Sequence, residues 1–321
     1  MVKKLTKAQL LKLLREHNWV KTDVARSVGV DEKTIRRWCD SHNINAEEER
    51  KMAIANTPIR KYSTSKASTG KKATEGTFVI VPDLHAHEVD WNYLATVCAF
   101  IKDFKPKVLI QLGDLMDYEC LMSKRKMKYP SFDGKDIQSL DVEFKACANI
   151  ISKLNNSAPK DCTKWFLKGN HEYRADIICK DFPEFTKLLS LEENLDFGDW
   201  KIFEYLDPEV KLGKLHIIHG EFYGSNHVQK HLKHYQKNVV YGHTHGIQQD
   251  TMASPMRKIP IWGASIGCGC NVNPDYQRNK SNAWQHGFAY GWWNEATGDF
   301  DVQIKRVING KFWAEGTRYG V

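Results

Sequence analysis

The sequence predicts an α/β fold, a two-sheet sandwich flanked by helices, behind a small all-α domain at the N-terminus. Three observations carry this. After residue 76, five short β-branched or aromatic runs are each followed at once by Asp, Asn or His. Helical stretches at 89–104 and 140–154 separate the earlier runs, the alternation of a layered α/β protein, and strand-like runs at 259–313 suggest a second sheet packed on the first. The first 55 residues show helical periodicity instead.

With 321 residues, 41% hydrophobic and 11% aromatic, the chain has room for a catalytic domain plus an appendage and is too apolar for general disorder. We expect a helical domain over 1–55, a linker over 56–76 and a catalytic domain over 77–321. The linker reads NTPIRKYSTSKASTGKKATEG, too polar to bury itself, and so flexible and basic. Lys12, Arg15 and Glu16 interrupt any leader-like apolar run, and no stretch has transmembrane length. Eight scattered cysteines fit reduced thiols, and Cys268 and Cys270 are given no role. The expectation is a soluble, cytoplasmic protein with no membrane partner.

In the first domain, Leu10, Leu11, Leu13 and Leu14 form the apolar stripe of a helix over 7–17. A second helix starts near Lys21, capped by Thr22 or Asp23, and ends at Gly29, where glycine permits a left-handed turn. Asp31 can cap a third, with Ile35 and Trp38 inward and Lys33, Arg36 and Arg37 outward. The run KTDVARSVGVDEKTIRRW resembles the helix-turn-helix of DNA-binding proteins. That resemblance implies a last helix in the major groove, with Lys33, Thr34, Arg36 and Arg37 facing DNA and Lys21 and Arg26 available to phosphates. Charge agrees. Residues 1–75 hold 17 Lys plus Arg against 9 Asp plus Glu, while the remainder holds 30 of each, so the whole excess of +8 is N-terminal, where it can displace counterions from a polyanion.

In the second domain the run 78–81 leads to Asp83 and His85, 108–112 to Asp114 and Asp117, and 165–167 to Asn170 and His171. The run 215–218 leads to His219, and 239–241 to His243 and His245. Short polar side chains just past rigid strand ends can converge with fixed geometry. Oxygen and imidazole donors without thiolate favour Mn, Fe, Zn or a similar divalent ion. Two such ions, about 3.5–4 Å apart, can share a carboxylate, acidify a water and clamp a phosphate.

In chain order DLH, GDLMD, GNHE, the His of HGE, and GHTH resemble the signature of the calcineurin-like metallophosphoesterases. The resemblance implies a pair of stacked sheets with two divalent ions at one edge, manganese first among Mn, Fe, Zn and Ni. One ion would be held by Asp83, His85 and His245, with Asp114 bridging to a second held by Asn170, His219 and His243. His171 would protonate the leaving oxygen, oriented by the carboxylate of Asp117. His87 is expected near the site without binding metal; His17, His42, His216, His227, His231, His234 and His286 receive no role. Many relatives read GDxxDRG, where the arginine grips phosphate; Tyr118 stands there instead, which argues against a protein phosphatase. The stretch NAWQHGFAYGWW is similar to metallophosphoesterases of bacteriophages and prophages. The functional expectation is a nuclease brought to DNA by its first domain. The alternatives are a phosphatase or phosphodiesterase on nucleotides or phosphoproteins, and a DNA-binding regulator with a vestigial metal site.

Overall fold

A computed structural model describes residues 4–17, 19–46, 49, 74–121, 139–274 and 282–320. The chain divides into two units, residues 1–58 and 59–321. In the first, the leucine stripe forms α1 (Lys7–Glu16), where the Thr6 hydroxyl accepts from the Gln9 N–H and the Gln9 side chain accepts from the Thr6 N–H at 3.0 Å. Next come α2 (Lys21–Val28) and α3 (Glu32–Ser41), joined through Gly29 at φ 76° and ψ 35°, a left-handed conformation that glycine adopts without Cβ strain. Asp31 caps α3, accepting from the Thr34 N–H at 2.6 Å. The start of α2 departs from expectation: its cap position is Val20, without a side-chain hydrogen bond, and Asp23 pairs instead with Arg26 at 2.9 Å. Leu10, Leu14, Val24, Ala25, Ile35, Trp38 and Cys39 form one small core. The expected linker lies outside the described residues up to 73, and Glu75 and Gly76 at its end already belong to strand β1 (Glu75–Val81).

In the second unit β1, β2 (Val108–Gln111), β3 (Thr163–Leu167) and β4 (Lys201–Phe203) run parallel. Their six-stranded sheet is completed by β10 (Gly287–Asn294), antiparallel to β1, and by β11 (Phe300–Arg306) at its edge. A second sheet has the order β5-β6-β7-β9-β8, from β5 (Lys211–Leu212), β6 (Leu215–Ile217), β7 (Asn238–Tyr241), β9 (Ile261–Ile266) and β8 (Ile247–Met252). Within it β6, β7 and β9 are parallel. Helices α4 (Trp91–Phe104), α5 (Leu140–Ser157), α6 (Asn170–Asp181) and α7 (His227–Tyr235) connect these strands.

The two sheets were expected; the division of the late strands between them was not. Only β8 and β9 join the second sheet, while β10 and β11 return to the first. Seven of the eight β10 residues are at least partly buried, so this strand is stable only with both faces covered, as it is beside β1. Between the sheets, Phe78, Ile80, Val108, Ile110 and Leu112 pack with Leu215, Ile217, Val240 and Ile266. Each such side chain contributes about 1.5–3 kcal/mol on full burial, which holds the strand ends rigid. No helix among the described residues is long and apolar enough to cross a membrane.

Candidate metal centre

Parallel strands end on one side, so the residues following β1, β2, β3, β6 and β7 meet along one edge, where open α/β sheets bind ligands. Asp83 and His85 follow β1, Asp114 and Asp117 follow β2, His219 follows β6, and His243 and His245 follow β7. Asn170 and His171 differ from the expected loop placement, since they open α6. Asp83, His85, Asp114, His243 and His245 have φ between 23° and 62°, a region that costs non-glycine residues about 1–3 kcal/mol each. Strain at five of the seven predicted ligands persists because the packed strands fix the loops, and it marks a functional edge. Glycine is required where the strands approach these groups: a methyl at Gly242 would overlap a carboxylate oxygen of Asp83, and one at Gly169 an oxygen of Asp114.

Of four donor groups among the described residues, two consist wholly of predicted ligands. Asp83, His85, Asp114 and His245 can each offer an atom to one point; Asp114, His219 and His243 can do the same at a second; Asp114 belongs to both. Asn170 joins the latter, its Oδ1 lying 3.0 Å from His219 Nε2 and 2.8 Å from His243 Nδ1. All seven predicted ligands are therefore brought together.

The hydrogen bonds behind the imidazoles show where positive charge fits. His219 Nδ1 donates to the Leu112 carbonyl at 2.8 Å, which leaves Nε2 of a neutral ring as a lone pair facing Asn170 Oδ1 and, at 3.3 Å, Asp114 Oδ2. His85 Nδ1 donates to Asp117 at 2.9 Å, and its Nε2 lies 3.1 Å from His245 Nε2. Electron-rich atoms so opposed need positive charge between them. Burial opposes charging His85, but the Asp117 hydrogen bond and neighbouring carboxylates push its pKa up to about 10. Burial likewise opposes charging His219, yet Asp114 carries it to about 9. Burial raises Asp83 to about 7; it acts the same way on Asp114, but there His219 and His171 overcome it and hold the carboxyl well below the ordinary range. Burial, then the neighbouring charged rings, drive His243 down to about 4 and hold His245 well below the ordinary imidazole range. The oxygen and imidazole donors and the shared carboxylate fit divalent cations.

Asp117 behaves differently from expectation. Its carboxylate is closer to His85 than to His171, at 2.9 Å against 3.4 Å, and its backbone carbonyl lies 2.6 Å from His171 Nδ1. The main chain orients His171, and the carboxylate fixes the tautomer of His85. His171 Nε2 stands 3.8 Å from Asp114 Oδ2.

Sequence reasoning missed three groups. Glu172 accepts from the N–H groups of Gly169, Asp114 and Met116 at 2.8, 3.0 and 2.8 Å. Its spacing from Gly169 is that of a capping box, a signal visible in GNHE. Glu143 on α5 accepts from the N–H groups of Asp117, Tyr118 and Glu119 at 3.1, 2.6 and 3.1 Å, with no local signal at all. Cys270 Sγ lies 3.8 Å from His245 Nδ1, behind the face turned to the centre. Of the histidines left without a role, buried His231 stacks on Tyr241 and accepts from the Glu221 N–H at 3.2 Å, supporting the loop after His219. His87 lines a small cleft of about 30 Å³ with His85, Asp117 and His245.

Residues 76–247, more than half of the chain, match the family model for calcineurin-like phosphoesterases. The chain belongs to that family. Calcineurin-like phosphoesterases are divalent-metal hydrolases, and the donor groups above are where this one would hold its metal. Relatives of the chain include the gene 54 protein of Mycobacterium phage D29, 25% identical over 253 residues, which are 74% of this chain and 96% of that protein. The gene 54 protein of Mycobacterium phage L5 is 24% identical over 227 residues, 66% of this chain and 86% of that one. Among solved structures, vacuolar protein sorting 29 from Cryptosporidium parvum aligns with 78% of this chain and 100% of its own, at 12% identity and a TM-score of 0.36. A single mutant of Vps29 from Entamoeba histolytica covers 76% and 99%, at 9% identity and a TM-score of 0.37.

In the first unit Lys33, Arg36 and Arg37 are exposed on α3 and Thr34 is half-buried, opposite buried Ile35, Trp38 and Cys39. Arg36 pairs with Glu32 at 2.8 Å.

Proposed function

We propose that this chain is a dinuclear metal-dependent phosphodiesterase acting on nucleic acid, a nuclease, with its first unit serving to bind DNA. One observation carries the reading: Asp114 contributes to both donor groups, the arrangement that lets a carboxylate bridge two ions. Two bound divalent cations, manganese first, would offset phosphate charge and supply a nucleophile from water near neutral pH. Asp83, His85 and His245 would hold one, Asn170, His219 and His243 the other. His171, anchored by the Asp117 carbonyl, stands beside Asp114 with Nε2 turned to the site; burial lowers its pKa, so it would take up a proton there only with the phosphate bound, and would then pass it to the departing oxygen.

Tyr118 favours a diester over a phosphoprotein. It is buried and donates its hydroxyl to the Leu189 carbonyl at 2.6 Å, so no cationic side chain from that position reaches a terminal phosphate. A diester, carrying one charge fewer than a monoester, needs that cation less.

The test is degradation of plasmid DNA and of single-stranded DNA and RNA with Mn²⁺, run beside bis-(p-nitrophenyl) phosphate. Wild type should cut nucleic acid and Asp114→Asn should not. Ester hydrolysis without cleavage of any DNA or RNA would transfer the site to nucleotide or phosphoprotein substrates.

A further inference from the structure

Next to the metal centre lies a cleft of about 630 Å³, lined by His243, Thr244, Tyr223, Ser225, Gln248 and Trp284 among others. It is ample for a small-molecule ligand, whose pockets typically span about 300–1000 Å³. Through His243 the cleft opens directly onto the second donor group.

Its lining has three properties. It is aromatic: Tyr223 is 76% exposed, and the Trp284 ring packs edge-on against His245 at 4.1 Å. It carries no Asp, Glu, Lys or Arg among its lining residues, although such residues make up 27% of the chain. It is also anchored, since the Tyr223 carbonyl accepts from Lys230 Nζ at 3.2 Å and the Ser225 carbonyl from Gln248 Nε2 at 3.3 Å. A large exposed aromatic on a tied loop is poor for solubility but suits a planar partner. Among the described residues, a peptide rich in charge or a second phosphate would find counter-charge in Lys230 alone, whose Nζ is already held by the Tyr223 carbonyl, whereas a neutral heteroaromatic ring with hydrogen-bonding edges would find π-faces, hydroxyls and amides.

We infer that this cleft is a nucleobase subsite, in which Tyr223 and Trp284 stack the base attached to the phosphate held at the metal centre. The inference rests on the phosphodiesterase reading and narrows it to nucleotidyl diesters. Stacking on aromatic side chains tolerates any base, so the subsite confers preference for nucleotides over other diesters without selecting a sequence.

The experiment compares thymidine 5′-(p-nitrophenyl phosphate), which carries a base, with bis-(p-nitrophenyl) phosphate, which carries none. The ratio of their kcat/KM values should exceed about ten in wild type and fall roughly tenfold in Tyr223→Ala and in Trp284→Ala, with Tyr223→Phe retaining it, since the ring and not the hydroxyl stacks. Adenosine and thymidine monophosphates, titrated calorimetrically, should bind about tenfold more weakly to Tyr223→Ala, while inorganic phosphate should not distinguish the two proteins. Single-stranded DNA and RNA oligonucleotides in the same titration identify the polymer the subsite prefers. A wild-type ratio near one, or a ratio and nucleotide affinity indifferent to both alanine variants, overturns the subsite and leaves a phosphodiesterase without base recognition. If neither diester is hydrolysed the catalytic reading fails instead, and the nucleotide titrations still decide the subsite.

Discussion

At the scale of single residues, the centre is a set of lone pairs aimed inward by hydrogen bonds behind them. Leu112 fixes the tautomer of His219 and Asp117 that of His85, so each presents Nε2. With their pKa values raised to about 9 and 10, both rings are charged at pH 8 in the metal-free protein and must give up a proton to bind a cation. Loading at pH 8 should therefore release roughly two protons, measurable as the dependence of calorimetric heat on buffer ionisation enthalpy. The sign follows: metal affinity weakens as pH falls below these values and strengthens as it rises towards them. Uptake of metal with no proton release would show that other atoms bind it. His171 is a separate matter, because in the proposed reaction it would give a proton rather than a lone pair. Its change to alanine should lower kcat by about 10²–10⁴ with metal content unchanged, read by elemental analysis beside steady-state rates.

At the scale of elements, helices α5 and α6 hold the loop after β2. Glu143 takes three N–H groups of that loop and Glu172 takes two, together with the Gly169 N–H. Burial pushes Glu143 up to about 8 and Glu172 up to about 7, so these side chains accept hydrogen bonds at a desolvation cost that only the loop offsets. Glu143→Ala removes the acceptor of two interior N–H groups and of the half-buried Glu119 N–H. At about 1–3 kcal/mol for each interior donor, the loss should be at least about 2 kcal/mol by urea denaturation, with weakened metal binding because Asp117 loses its anchor. Stability within about 0.5 kcal/mol of wild type would show that water replaces the carboxylate. These two glutamates also mark where sequence reading stops. Glu172 announces itself three residues after Gly169, whereas Glu143 sits inside an amphipathic helix, and nothing local distinguishes it from a solvated neighbour.

For the whole molecule, charge is segregated: +8 in residues 1–75 and balance in the rest. A chain from which residues 1–73 have been removed should hydrolyse bis-(p-nitrophenyl) phosphate within about twofold of the full chain, while its affinity for duplex DNA falls and depends less steeply on salt. Arg36→Ala combined with Arg37→Ala should weaken DNA binding about tenfold or more in the full chain, measured by fluorescence anisotropy at several salt concentrations. Equal affinity and equal salt slope in all three proteins would remove the first unit from DNA recognition. Loss of cellular function in the double arginine variant, but not in Asp114→Asn, would favour a regulator over an enzyme.

By itself the sequence determined the five strands that carry the site and the residues that follow them, because a buried strand is a local apolar run and its end a local change to Asp, Asn or His. The motif order determined the family for the same reason: ligands on successive strand ends leave a linear record. Only the tertiary structure decided that β10 and β11 return to the first sheet, that the backbone of Asp117 serves His171 while its carboxylate serves His85, and that Glu143 braces the metal loop. Each of these depends on which groups meet across long separations in the chain, and hydrogen-bond partners chosen by proximity in space leave no periodicity to read.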